Sequence, residues 1–285
     1  MKASTLAVMG LVSVFASFAS AAGDVATRLE AREFTGSDGA VFRYRWVEKL
    51  PKDGGKVPLV LFLHGAGERG TDNTAQLKYG VKELLDWLDA HEKGYRIVAG
   101  QVPHGKRWVE VDWGATGHKM TQKPSETMAL QIELLDRLLA DPATDGSRVY
   151  VTGISMGGYG TWDLVCRRPE VFAAAMPVCG GADVAQAARV AEVPIWVFHG
   201  DSDSVVPVCR SRNMVAALWQ CGGKVRYREY PGVGHNCWTP TYADKDVLKW
   251  FFGQRKSGRG NDAKLAYGIC PFTWRCCFEK RRNRR

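Results

Sequence analysis

The chain has 285 residues, 45% of them hydrophobic, enough for one large domain or two small ones. Its net charge of +9 is concentrated at one end: residues 253–285 carry ten Lys/Arg against two Asp/Glu, while residues 22–252 hold 28 of each sign. A main domain of zero net charge has no electrostatic footprint for nucleic acid, which excludes that class of partner for it.

Lys2, the apolar run LAVMGLVSVFASFA and the small residues SAAG read as a secretory signal peptide over 1–21, with Ala19 and Ala21 at the small-residue positions. The apolar stretch is short for a membrane span, so no stable span is expected and the protein is placed as secreted or periplasmic. REFTG and AVFRYRWVEKL then suggest an antiparallel hairpin around SDG, and VPLVLFLHG a strand buried on both faces. YGVKELLDWLDAHEK has helical spacing and YRIVAGQVP is a strand. A polar and aromatic loop runs from His104 to about Pro124. SETMALQIELLDRLLA is a helix with Ser125 as N-cap. SRVYVTG, VFAAAMPVCGG, VPIWVFHG and KVRYREY are further strands, alternating with helices in TWDLVCRR, SRNMVAALWQC and DKDVLKWFFG. This alternation predicts an α/β fold: a single domain over 22–252, with a mostly parallel sheet, helices on both faces and no large cap domain. Residues 253–285 are expected to be a disordered basic tail and a candidate contact for polyanions.

Sheets of this kind carry their chemistry at the carboxyl ends of the strands. Those ends hold HGAG (64–67), the turn GISMG around Ser155, HGDSDS (199–204) and GHNCW around His235. G-x-S-x-G between a strand and a helix is either an ordinary glycine-rich connection or a nucleophile held on a sharp turn. Serine, acid and histidine follow in that order, each just past a strand, which is the chain order of the α/β-hydrolase triad. A serine hydroxyl needs a base to remove its proton, and that base needs an acid to hold its tautomer. Ser155 and His235 fill the first two roles, with Asp201 and Asp203 as candidates for the third. The amides of Met156 and Ala66 are placed to bind an oxyanion. His64 and His199, each before a glycine, read as packing and turn residues.

HGAGERGTDN, GISMGGYGTWDL, FHGDSDSVVP and YPGVGHNCWTPTY resemble the secreted serine esterases related to phospholipase/carboxylesterase and to feruloyl and acetyl-xylan esterases. Some relatives are labelled peptidases. The resemblance spans about Arg43 to Phe252, apart from the tail. It implies Ser155 as nucleophile, His235 as base and Asp203 as the acid, from the pattern H-G-x-x-D-x-x-V-P. It implies hydrolysis of carboxylic esters through an acyl-enzyme, without a cofactor. The alternatives are a serine peptidase of the prolyl-oligopeptidase type and a catalytically silent binding protein.

With room for only one short helix between PVCGG and VPIWVF, the site is expected to be open, suiting bulky or polymer-attached esters. Trp108, Trp113 and Trp238 are candidates for an aromatic substrate platform, or else pack the long loop onto the domain. Glu68 and Arg69 are candidates for substrate contacts, but an internal ion pair that fixes the GERG loop is the favoured expectation. The eight cysteines show no zinc-finger spacing, so no metal is expected. Cys179, ending a strand, and Cys237, two residues past His235, should share a rim, which suggests a disulfide that pins the histidine loop.

Overall fold

The structure, a computed structural model of the chain, describes residues 25–256. The expected signal peptide, and the expected tail beyond Lys256, lie outside the described residues.

Strands β1 (Glu30–Thr35) and β2 (Val41–Lys49) form the hairpin, and β2 joins β4 in antiparallel pairing. Between them in sequence come β3 (Val57–Leu63), buried along its whole length, and α1 (Val81–His91), whose Val81, Leu84, Leu85 and Leu88 form one apolar stripe; β4 is Tyr95–Gly100. The long loop that follows ends where Ser125 Oγ accepts the Met128 amide at 3.1 Å, starting α2 (Glu126–Ala140). Next are β5 (Thr144–Ile154), α3 (Met156–Arg167), β6 (Ala174–Val178), the short α4 (Ala187–Val190), β7 (Ile195–Gly200), α5 (Cys209–Gln220) and β8 (Val225–Tyr230). The described chain closes with α6 (Trp238–Ala243) and α7 (Lys245–Gly253).

The eight strands lie in the order β1-β2-β4-β3-β5-β6-β7-β8, with β3 to β8 parallel. Side chains alternate across the pleat, so β3 feeds two cores. Leu59, Leu61 and Leu63 face α2, α3 and α5, while Val60 and Phe62 face α1, α6 and α7. The sheet is therefore covered on both sides, as the continuous apolar strands require. Leu63 pairs with Gly153, Ile154 with Val178, Val178 with Phe198 and Gly200 with Tyr230. That register brings the carboxyl ends of five strands to one edge. Between β6 and β7 the chain spends only a 3-10 turn (Val184–Gln186) and α4, so among the described residues no cap is inserted over this edge.

Packing continues past the boundary expected at residue 252. The Lys256 amide donates to Ser147 O at 2.9 Å, and Tyr150 Oη donates to Gln254 O at 2.8 Å.

Candidate active site

Ser155 stands between β5 and α3 with φ 52° and ψ −117°, left-handed backbone that a residue bearing a Cβ rarely adopts. Two bonds hold it there: its amide donates to Val178 O at 3.0 Å, and its carbonyl accepts the Tyr159 amide at 3.1 Å. Gly157 lets α3 start directly against β3, since a Cβ there would lie 1.8 Å from Leu63 O. The glycines of GISMG are thus dictated by close backbone approach.

His235, in the loop after β8, meets Ser155 Oγ through Nε2 at 2.8 Å and Asp203 Oδ2 through Nδ1 at 2.7 Å. The carboxylate fixes the proton on Nδ1, which leaves the Nε2 lone pair facing the serine hydroxyl. Asp203 Oδ1 accepts the amides of Val205 and Val206 at 2.8 and 2.9 Å, and His199 Nε2 lies 3.3 Å from Oδ2. Burial alone would push this carboxyl up. The bonds from His199, His235 and the two amides outweigh it and hold the group far below the usual carboxylate range. The Asp203 side chain is shielded from solvent, whereas His235 keeps 20% of its side chain exposed. Asp201 is elsewhere: its Oδ1 accepts the Gly232 amide at 2.8 Å and so ties the acid loop to the histidine loop.

Met156 opens α3, where an amide has no acceptor within its own helix. Ala66 begins the 3-10 turn Ala66–Glu68, and the contact of Gly157 with Leu63 and His64 sets the two segments side by side. Arg69 Nε donates to Ala66 O at 2.9 Å. The expected Glu68–Arg69 pair does not form. Glu68 folds back onto the Gly65 and Glu68 amides, and burial raises its pKa, while Arg69 turns to the Ala66 carbonyl.

The three tryptophans separate. Trp108 is fully buried, its Nε1 donates to His64 O at 3.1 Å, and its ring packs on Phe42 and His64. It is a core residue and not part of a substrate platform, because the loop turns it inward against Phe42, His64 and Gly160. Trp113 is half-buried with the Arg107 and Arg69 guanidinium carbons 4.4 and 5.9 Å from its ring centroid. Trp238 sets its ring at right angles to that of His235, 5.3 Å away.

His64 is a packing residue, as its place before a glycine suggests: its Nε2 accepts the Val102 amide at 2.9 Å, and its Nδ1 lies 2.6 Å from Gly65 O. His199 does more than pack, since it also touches Asp203. The H-G-x-x-D spacing, which sets His199 at the end of β7 and Asp203 just past it, is the available signal.

Cys179 and Cys237 do share a rim. They stand there as buried free thiols, each within the other's influence, and not as the expected disulfide. Burial raises the Cys179 pKa well above its ordinary value, which suppresses the thiolate that bond exchange requires. Among the described residues, Cys179, Asp203 and His235 bring possible ligand atoms within 4.8 Å of one another. The acid and histidine already bond each other, and a protonated thiol is a poor ligand, so this donor set does not suit a resident metal.

Residues 50–244 match the phospholipase/carboxylesterase family. The chain belongs to that family. A bifunctional acetylxylan esterase/xylanase from Neocallimastix patriciarum is 30% identical over 219 residues, covering 73% of this chain and 29% of the relative. Poly(3-hydroxyalkanoate) depolymerase C from Paucimonas lemoignei is 37% identical over 126 residues, 44% of this chain and 28% of that protein. The chain thus spans under a third of the length of these curated relatives. A solved thermostable esterase superposes with a TM-score of 0.74 at 38% identity, covering 81% of this chain and 64% of its own. The family shares the α/β-hydrolase fold described above.

Proposed function

We propose that the protein is an exported serine hydrolase of carboxylic esters, with Ser155 as nucleophile, His235 as general base and Asp203 as the acid that orients it. The hydrogen-bonded series Ser155–His235–Asp203 at the open edge of the sheet carries this reading. His235 Nε2 takes the serine proton as Oγ attacks the ester carbonyl, and Asp203 stabilises the imidazolium that results. The amides of Met156 and Ala66 receive the oxyanion of the tetrahedral intermediate. His235 then returns its proton to the departing alcohol, leaving an acyl group on Ser155. Water, activated by the same imidazole, releases the acid and restores the serine. No cofactor enters any step.

Polymer-attached esters fit best. Two relatives act by name on acetylxylan and on poly(3-hydroxyalkanoate), and only a short turn and helix stand between β6 and β7. Trp113 and Trp238 are the aromatic surfaces for the substrate's ring or sugar. Export rests on the leader-like residues 1–21; among the described residues, no helix is long and apolar enough to cross a membrane. A panel of p-nitrophenyl acetate, acetylated xylan and a peptide anilide, run beside Ser155→Ala, tests the reading. Ester turnover that disappears in the variant supports it. Turnover of the anilide alone would move the protein to the peptidases, and no turnover at all to the binding proteins.

A further inference from the structure

Arg210, in the first turn of α5, is 2% exposed. Among the described residues it makes no ion pair, although a buried cation without an anion is costly and a helix N-terminus disfavours positive charge. Its bonds go to a single loop. Nη1 donates to Ala115 O at 3.2 Å, and Nη2 meets His118 Nδ1. The guanidinium carbon lies 5.2 Å from the centroid of the Tyr159 ring, and Tyr159 Oη donates to Trp113 O at 3.0 Å. Room for the guanidinium comes from Gly181, where a Cβ would stand 2.3 Å from Nε. One side chain therefore joins the helix after the acid loop, the nucleophile helix and the segment 112–120.

The ring of His118 must be unprotonated at Nδ1 to accept from Arg210. Burial and the Arg210 charge lower its pKa to about 4, against the opposing charge of Asp183, so the acceptor form prevails at neutral pH. The same loop presents Trp113 beside Arg69, which holds the Ala66 carbonyl of the oxyanion turn. We propose that Arg210 is a positioning residue, a latch that holds segment 112–120 closed over Tyr159 and so fixes Trp113 as the wall for bulky esters. Its effect on substrate choice rests on the esterase reading above, while its effect on the loop does not. Small esters, which do not reach Trp113, are indifferent to it.

The test pairs Arg210→Met and His118→Ala with peptide-resolved amide hydrogen exchange and with two substrates, p-nitrophenyl acetate and p-nitrophenyl ferulate. Exchange in 112–120 should accelerate about tenfold or more in either variant, the size of one lost charge-assisted hydrogen bond. KM for the ferulate should rise by about the same factor, with kcat on both esters and KM for the acetate within about threefold of the parent. His118→Ala removes only the loop side of the latch and so serves if Arg210→Met does not fold. Unchanged exchange in 112–120, or an equal loss of kcat on both esters, overturns the proposal. If the parent protein hydrolyses neither ester, the esterase reading falls, and the exchange rates alone still decide the latch.

Discussion

At the level of single residues, the acid loop separates two aspartates by their partners. Asp203 faces His235 Nδ1 and accepts two backbone amides, whereas Asp201 bonds Ser202 and the Gly232 amide near the surface. Asp203→Asn keeps the shape and removes the charge that, on the proposed mechanism, orients and stabilises the imidazolium. Turnover of an activated ester should fall at least about 10²-fold, with folding intact. Asp201→Asn retains an acceptor for Gly232 and should cost under about tenfold. Circular dichroism beside initial rates checks both; the reverse ranking would transfer the acid to Asp201.

At the level of elements, the contact between α3 and the end of β3 determines whether Ser155 is presented at all. A methyl group on Gly157 would overlap the Leu63 carbonyl, which belongs to a paired strand and has no room to yield. Gly157→Ala should therefore lose about 3 kcal/mol of stability or more, a midpoint drop on the order of 10 °C for a domain of this size. Ester turnover per folded molecule should fall with it, as the helix shifts from under the nucleophile. Thermal melts with active-site titration measure the two effects separately. A variant that melts with the parent and keeps its activity would mean that the helix start is not so tightly fixed.

For the whole molecule, acid stability follows from histidines buried as neutral rings. Burial lowers the His64 pKa to about 4 from the ordinary 6.5, despite the opposing bond to Gly65 O. Between those values the unfolded chain binds more protons than the folded one. Stability is thus full above about pH 6.5 and declines as pH falls towards 4, by roughly 3 kcal/mol from this ring at most. His118 acts in the same direction. Urea midpoints at pH 7, 5.5 and 4 should fall in that order; a flat series would show that neither ring is held neutral. The basic end gives a second expectation. Residues 254–256 pack on the strand that leads to Ser155, through Tyr150 and Ser147. Truncation after Lys256 should leave ester turnover within about twofold and weaken retention on a cation-exchange resin. Truncation after Gly253 should lower the melting midpoint as well.

The sequence by itself determined the alternation of strands and helices, because strands buried on both faces must be continuously apolar and helices must show a stripe. It also offered Ser155, His235 and either Asp201 or Asp203 as candidates, since a turn at a strand end demands glycines and the three types follow in order, with the family resemblance favouring Asp203. It did not disclose α6, six residues too few for a periodic stripe, with Pro240 in the first turn, where its missing amide is not needed. It grouped Trp108 with Trp113 and Trp238, because an aromatic residue in a loop looks the same whether the loop folds under or over the domain. It passed over Arg210 and His118, which lie 92 residues apart and are joined only by packing. Contacts across the fold have no local signature, so only the residue types of the proposed triad could be read from the chain. Its supports could be found only in the tertiary structure.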